Sequence, residues 1–85
     1  MLVLYTGDYC PFCRRVEAYL QDKALEYEAR DIRANPDYAD ELVELGGKRQ
    51  IPYLVDTERG VSMYESEDIV QYVADTYGEN PVIEM

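Results

Sequence analysis

The sequence has no histidine, only two cysteines and few basic residues. Lysine and arginine together number 8 against 18 aspartates and glutamates, so the formal net charge of the 85 residues is −10. Nucleic-acid binding needs a basic surface that displaces counterions from phosphate, and we expect no such binding here. Zinc usually takes four ligands, so two cysteines without histidine suit a mononuclear zinc site poorly, while a metal shared by two chains stays open.

Long apolar runs are also absent. No stretch approaches the roughly 18 apolar residues of a membrane span, and residues 1–5 lack the basic start of a secretory signal. Hydrophobic residues make up 47% of the chain and charged residues 31%, which is typical of a globular protein. Because so short a chain closes around one core, we expect a single cytoplasmic domain over residues 1–85, acting as a monomer without membrane contact.

The negative charge is concentrated in the last third of the chain. Residues 61–85 contain six acidic side chains and no basic one. High salt would screen such a surface, so a salt-adapted host is one interpretation. Ordinary acidic solubility explains the same composition, and it is the interpretation that we prefer.

The first half of the chain has the pattern of a strand, a helix and a second strand. Residues 2–5 form a short continuous apolar run, as in a strand buried on both faces. Pro11 suits the first position of a helix, and residues 26–32 suit a strand again. A βαβ unit of this length predicts parallel strands and a right-handed crossover. The helix has one apolar stripe, formed by Cys13, Val16, Leu20 and Ala24.

The second half predicts a helix, a hairpin and a last helix. Asn35 followed by proline opens the middle helix, and the glycines at 46–47 end it. Residues 51–56 and 61–63 form the strands of the hairpin. The fold class is therefore α/β, in the order β-α-β-α-β-β-α, with a four-stranded mixed sheet between helices. The expected buried faces are Tyr38, Leu42 and Leu45 in the middle helix and Ile69, Val73 and Tyr77 in the last, which Ser66 caps and Gly78 ends.

Cys10 and Cys13 are the residues best placed for chemistry. Cys10 falls at the start of the first helix, where the helix dipole and the free N–H groups of Phe12 and Cys13 stabilise an anion. A thiolate there has a lowered pKa and is the nucleophile of thiol–disulfide exchange. Cys13 lies on the buried stripe, so we expect it to be sheltered while Cys10 is exposed. A structural disulfide across so short a loop would add little stability, which favours a redox pair.

Three motifs in register resemble the glutaredoxin family. They are Cys10-Pro11-Phe12-Cys13 after the first strand, Ile51-Pro52 at the start of the third, and Glu65-Ser66 before the last helix. Residues 50–54 and 64–69 are also similar to the glutathione-binding N-terminal domain of glutathione transferases. Both families have the thioredoxin fold, which the resemblance implies over essentially the whole chain.

The resemblance implies a glutathione site on these motifs. Pro52 is expected to be cis and to face the reactive sulfur, with the backbone of Ile51 pairing with the cysteinyl part of glutathione. The γ-glutamyl carboxylate suits the hydroxyl and free amides at Ser66, which would otherwise be a plain helix cap. Two carboxylates compete for the ammonium group of glutathione, Glu65 and Glu67.

Charged and aromatic side chains complete the predicted site. Lys48 and Arg49 are candidates for the glycine carboxylate, with a solvated loop as the alternative. Together with Arg14 and Arg15 they would form a local positive funnel for an anionic ligand. The side chains expected to cover the tripeptide, unless they only pack within the loop, are Tyr9 and Phe12.

The sequence departs from the glutaredoxin pattern in three places, one of which is Phe12 where tyrosine is commoner. Many glutaredoxins carry a lysine shortly before the first cysteine, where this chain has residues Gly7-Asp8-Tyr9. Tyr64-Glu65 stands where a glycine pair is usual. These departures bear on the thiol that is used, so a related γ-glutamyl thiol is an alternative to glutathione.

The predicted function is glutathione-dependent thiol–disulfide oxidoreduction. Cys10 attacks a protein disulfide or a glutathionylated protein, and Cys13 resolves the mixed disulfide, with glutathione as co-substrate and no bound cofactor or metal. One alternative is an electron donor served by thioredoxin reductase. Another is an iron–sulfur carrier in which two chains use Cys10 with glutathione, and a third is a non-enzymatic docking module. We do not expect transferase activity, because it needs a large helical domain for the second substrate.

Overall fold

The elements of the fold follow the predicted order β-α-β-α-β-β-α. The computed structural model describes residues 1–8 and 10–77. Within these residues, no helix has the length and apolar character needed to cross a bilayer. The elements are β1 (Leu2–Thr6), α1 (Pro11–Asp22), β2 (Tyr27–Asp31), α2 (Pro36–Gly46), β3 (Tyr53–Asp56), β4 (Val61–Tyr64) and α3 (Ser66–Tyr77).

The strand β1 lies inside a four-stranded sheet with the order β2-β1-β3-β4. It pairs with β2 in parallel, as the βαβ pattern predicted, with Leu2 opposite Tyr27. It pairs with β3 in the antiparallel sense, with Leu4 opposite Leu54, and β3 and β4 form the predicted hairpin. All five residues of β1 are buried, because a strand covered on both faces has no side turned to solvent.

Alternate residues of β1 belong to two hydrophobic clusters on opposite faces of the sheet. Leu2 and Leu4 pack with apolar side chains of α1 and α3, whereas Val3 and Tyr5 pack with those of α2. This division follows from the geometry of a strand, whose successive side chains point to opposite faces. The helices therefore cover both faces of the sheet, which confirms the predicted thioredoxin-type architecture.

Two residues predicted to lie on buried helical stripes are exposed instead. Ala24 follows the end of α1 and has a positive φ of 56°, so it lies in the turn that leads to β2. Leu45 is 57% exposed, while Ala39 and Leu42 form the buried side of α2. At about 100° per residue, Leu45 is about 90° away from the midpoint between those two side chains. Tyr77 is half-buried, and the predicted helix end at Gly78 lies outside the described residues.

A carboxylate with no exposed surface ends β3, at the opposite end of that strand from Pro52. Asp56 accepts hydrogen bonds from the hydroxyls of Tyr72 at 2.6 Å and Tyr77 at 2.7 Å, both on α3. The amide of Glu58 donates to its second oxygen at 3.2 Å. Burial raises the pKa of Asp56, but these hydrogen bonds outweigh burial, so the pKa lies below its ordinary value. The cluster ties the C-terminal half of α3 to the sheet.

Candidate functional site

The sulfur of Cys10 occupies the capping position of α1. The residue has an extended backbone, Pro11 takes the first helical position, and the Cys13 amide donates to Cys10 Sγ over 3.1 Å. Helices leave their first amides without internal partners, and here the sulfur satisfies one of them. Of the two amides predicted to point at this sulfur, only that of Cys13 has such a bond among the described residues. Cys10 and Cys13 are joined as a disulfide.

The two cysteines differ in exposure, in the direction that the sequence predicted. Cys13 has no exposed surface and lies on the buried side of α1 with Val16 and Leu20. Cys10 is partly buried, so it is less exposed than expected. In the disulfide, the sulfur that an external thiol reaches first is therefore that of Cys10.

A pocket of about 510 Å³ opens beside the first turns of α1. Its walls come from α1, from the segment that leads into β3, and from the turn between β4 and α3. Neither cysteine is among the lining residues, and Cys10 stands two positions before the first of them. The lining residues are Phe12, Arg15, Gln50, Ile51, Pro52, Glu65, Ser66, Glu67 and Asp68.

The wall before β3 contains the cis peptide bond that the resemblance implied. The Ile51–Pro52 bond is cis, and Pro52 is buried. The chain segment that follows β1 lies directly against this wall, because a Cβ added at Gly7 would come within 2.8 Å of Ile51 Cδ1. The glycine thus allows the segment leading to Cys10 to approach the wall formed by Ile51.

The turn before α3 differs from the predicted helix cap. Glu65 has a positive φ of 71°, and its carbonyl accepts from the Ile69 amide at 2.9 Å, so Ser66 is already the first helical residue. Ser66 is 6% exposed and lines the pocket, and its hydroxyl has no hydrogen-bond partner within residues 1–8 and 10–77. A buried hydroxyl is normally paired, so this one, next to free first-turn amides, is suited to a ligand carboxylate.

The charges around the pocket differ from the predicted positive funnel. Three carboxylates line it, and the only cationic lining side chain among the described residues is Arg15. Arg15 lies 3.9 Å from Glu67, and the Gln50 side-chain amide donates to Glu65 over 3.3 Å. The third carboxylate, that of Asp68, is exposed. The pocket can therefore receive an ammonium group beside α3 and one anionic group beside α1.

The other predicted cations lie outside this pocket. Arg14 lines a separate groove with Asp8 and Glu17, and the Lys48 ammonium lies 4.9 Å from the centre of the Tyr64 ring. Arg49 is exposed and is not among the residues that line this pocket. Contacts of these three side chains with glutathione stay predictions, as does that of Tyr9, which lies outside the described residues.

Two of the lining residues, Gln50 and Asp68, were not predicted as ligand contacts, and Arg15 was predicted only as part of the positive funnel. A signal for Arg15 was present, because it follows Phe12 by three positions on α1 and such residues share one side of a helix. Phe12 was predicted to cover the ligand, and it is 64% exposed at the pocket. For Gln50 and Asp68 the signal was their place in the segments 50–54 and 64–69, which resemble the transferase domain.

Comparison with known proteins places this geometry in a family. The family model described as glutathione S-transferase, N-terminal domain, matches residues 4–81. Glutaredoxin 3 of Escherichia coli strain K12 is 28% identical over 51 residues, which are 60% of this chain and 61% of that protein. The match therefore spans about three fifths of the length of this relative.

Solved transferase structures are similar over most of this chain. Glutathione transferase Omega 3C from Trametes versicolor has a TM-score of 0.78 and 28% identity, covering 95% of this chain and 35% of that one. Glutathione transferase E6 from Drosophila melanogaster has a TM-score of 0.73 and 30% identity, covering 91% and 35%. This chain thus corresponds to about a third of their length. The expectation against transferase activity finds no support here, because the relatives include both transferases and a glutaredoxin.

Proposed function

This chain belongs to the family of glutathione S-transferase N-terminal domains, and from that premise we propose that it is a glutathione-dependent thiol–disulfide oxidoreductase. The observation that carries the proposal is the position of Cys10, whose sulfur caps α1 and is paired with the buried Cys13. A lone binding domain has no need of a second cysteine one turn further along the helix. A dithiol enzyme needs such a pair, with one sulfur accessible and the other sheltered.

The reaction begins with the reduced pair. The Cys10 thiolate attacks a glutathionylated protein at the glutathione sulfur, the old S–S bond breaks, and the protein thiolate leaves and takes up a proton. Glutathione is then held on Cys10 as a mixed disulfide. A second glutathione thiolate attacks the glutathione sulfur of this mixed disulfide, the bond to Cys10 breaks, and oxidised glutathione leaves with the Cys10 thiolate restored. The helix start assists because the Cys13 amide, which contacts this sulfur at 3.1 Å, also stabilises it as an anion.

With a protein disulfide as substrate, the sheltered cysteine takes part. The Cys10 thiolate attacks one sulfur of the protein disulfide, which breaks that S–S bond and releases the other protein sulfur as a thiolate. The Cys13 thiolate then attacks the Cys10 sulfur of the mixed disulfide and displaces the second protein thiolate. The product is the reduced protein and the Cys10–Cys13 disulfide that the structure contains. Two glutathiones then reduce this disulfide in successive exchanges and leave as oxidised glutathione.

Glutathione is proposed to bind with its γ-glutamyl end at α3. Its carboxylate accepts from the Ser66 hydroxyl and from first-turn amides, where the helix dipole favours an anion. Its ammonium group faces the carboxylates of Glu65 and Glu67, both of which line the pocket. The cysteinyl part pairs with the backbone of Ile51. Arg15, which lies 3.9 Å from Glu67, adds a cation for the carboxylate of the same γ-glutamyl end. A related γ-glutamyl thiol would use the same contacts at α3.

A second candidate function is transfer of glutathione to an electrophile. The match of a transferase domain model to residues 4–81 favours it. In this case Cys10 or a pocket group activates bound glutathione, and the glutathione thiolate attacks the electrophile. The oxidoreductase proposal also includes glutathionylated proteins as partners, a monomeric state and a cytoplasmic location. The transferase proposal does not include them.

One set of assays with the purified wild-type protein separates the candidates. We expect reduction of the mixed disulfide between glutathione and a small thiol, coupled to NADPH oxidation through glutathione reductase. We expect no comparable rate when thioredoxin reductase replaces glutathione and its reductase. Conjugation of glutathione to an electrophilic aromatic halide, without disulfide reduction, would contradict the oxidoreductase proposal and support the transferase. Visible absorbance of protein purified without oxygen would instead point to an iron–sulfur cluster.

A further inference from the structure

The loop between α2 and β3 forms one wall of the pocket, and a tyrosine hydroxyl bonds both backbone groups of one of its residues. Tyr64, the last residue of β4, donates a hydrogen bond to the Lys48 carbonyl at 2.9 Å and accepts one from the Lys48 amide at 3.1 Å. Residues 47–49 of this loop are exposed, so few other contacts fix them. Gln50 and Ile51, which follow directly, line the pocket.

The tyrosine side chain is itself fixed in position. Its ring lies 4.4 Å, centre to centre, from that of Tyr53, its cross-strand partner. On another side it approaches Gly46 so closely that a Cβ at Gly46 would overlap the hydroxyl and the ring. The glycine at the end of α2 therefore makes room for the tyrosine. Because the ring is fixed by Tyr53 and Gly46, the Tyr64 hydroxyl is also fixed where it bonds the loop backbone.

The next residue adds a second tie between the same two walls. Glu65 accepts a hydrogen bond from the Gln50 side chain at 3.3 Å, and both residues line the pocket. Tyr64 at the end of β4 and Glu65 in the turn before α3 thus bond two residues of the loop before β3. These are Lys48 and Gln50. Because the Tyr64 bonds are made to the loop backbone, they act whatever side chain stands at position 48.

We infer that Tyr64 is a positioning residue of the pocket. Its hydroxyl sets the separation between the Ile51 wall, which pairs with the cysteinyl part of the ligand, and the start of α3, which receives the γ-glutamyl end. The inference rests on the proposed glutathione site. Without the hydroxyl, the loop between Gly47 and Pro52 samples other conformations, and the apparent affinity falls in proportion to the fraction that remains competent to bind.

The test is the Tyr64→Phe variant, which keeps the ring and removes only the two backbone bonds. We expect the KM for glutathione to rise about fivefold at an unchanged kcat and an unchanged reduction potential of the cysteine pair. The matched control is Tyr77→Phe, which removes a hydroxyl that bonds Asp56 at the far end of β3. That variant should lower the melting temperature and leave the KM for glutathione as in wild type.

Amide hydrogen exchange gives a readout that does not depend on activity. The Lys48 amide should exchange at least about fivefold faster in Tyr64→Phe than in wild type, because it loses its acceptor. An equal KM in the two proteins, or equal exchange at Lys48, overturns this inference. A wild-type protein that does not use glutathione overturns the proposed function instead, and Lys48 exchange then still decides whether Tyr64 holds the loop.

Discussion

Arg15 on α1 and Glu67 on α3 form an ion pair at the pocket, with guanidinium nitrogen and carboxylate oxygen 3.9 Å apart. Their side chains are 56% and 81% exposed. Exposed ion pairs of this kind contribute between about zero and 1 kcal/mol to stability. The pair is therefore of little importance for the fold, and its position at the pocket makes it important for the ligand.

Replacing Arg15 by glutamine should weaken glutathione binding. We expect the KM for glutathione to rise about fivefold, because the only cationic side chain among the described lining residues is lost. The matched variant is Arg14→Gln, which removes the same charge from the neighbouring groove and should raise KM less. Measuring both at low and high ionic strength adds a check, since salt should reduce the difference between the wild type and Arg15→Gln. An equal rise in the KM for glutathione in both variants would show that Arg14 contributes to the site as much as Arg15.

The Ser66 hydroxyl should matter for the ligand and not for the fold. Ser66→Ala should raise the dissociation constant of glutathione about tenfold, since a hydrogen bond to a carboxylate is lost. The free energy of unfolding should change little, because this hydroxyl has no partner among the described residues. Calorimetric titration with glutathione and denaturant unfolding measure the two quantities.

Thr6→Val is the control for Ser66→Ala, because it should affect stability and not glutathione binding. The buried Thr6 hydroxyl donates to Glu17 at 2.7 Å. Its removal should lower the free energy of unfolding by about 1 kcal/mol and leave glutathione binding unchanged. If Ser66→Ala instead destabilises the protein and binds glutathione normally, Ser66 is a structural residue only.

The buried carboxylate of Asp56 should make stability depend on acid pH. Its pKa is lowered in the folded state, so its contribution is present above the pKa of the unfolded chain and is lost as pH falls through the folded pKa. We expect Asp56→Asn to be about 2 kcal/mol less stable than wild type at pH 7. The difference should shrink steadily as the pH falls below about 4.

Denaturant unfolding between neutral and acid pH measures this difference. Asp40→Asn is the control, because it removes an equal charge from an exposed position of α2. Protonation relieves charge repulsion in a chain of net charge −10, and both variants share this effect on the free energy of unfolding. The difference between the two variants therefore reports the buried hydrogen bonds of Asp56. A constant difference between wild type and Asp56→Asn at every pH would show that Asp56 is not titrating as described.

The sequence predicted the elements of the fold and the start of α1 because these depend on local chemistry. Apolar spacing identified the strands, and proline at position 11 placed Cys10 as the capping residue. The turn before α3 could not be predicted in the same way. Glu65 adopts a positive φ that is unusual for a residue other than glycine, and only the tertiary structure reveals it.

The positions of the long cationic side chains were also beyond sequence analysis. Clustering along the chain suggested that Lys48 and Arg14 join the site, but the side chain of each follows its own local surroundings. Lys48 lies over the ring of Tyr64, which is sixteen positions away, and Arg14 points into the groove beside Glu17. The contact of Lys48 with Tyr64 is long-range and leaves no periodic signal, whereas Arg14 stands three positions before Glu17 on one side of α1.

The most direct test of the account compares Cys10→Ser and Cys13→Ser in glutathione-dependent reduction of a glutathione mixed disulfide. We predict that Cys10→Ser loses activity by at least about a hundredfold, because the nucleophile is gone. Cys13→Ser should keep most of the activity, since glutathione itself releases the mixed disulfide on Cys10. An active Cys10→Ser variant would contradict the account, because the sulfur at the start of α1 would then not be the nucleophile.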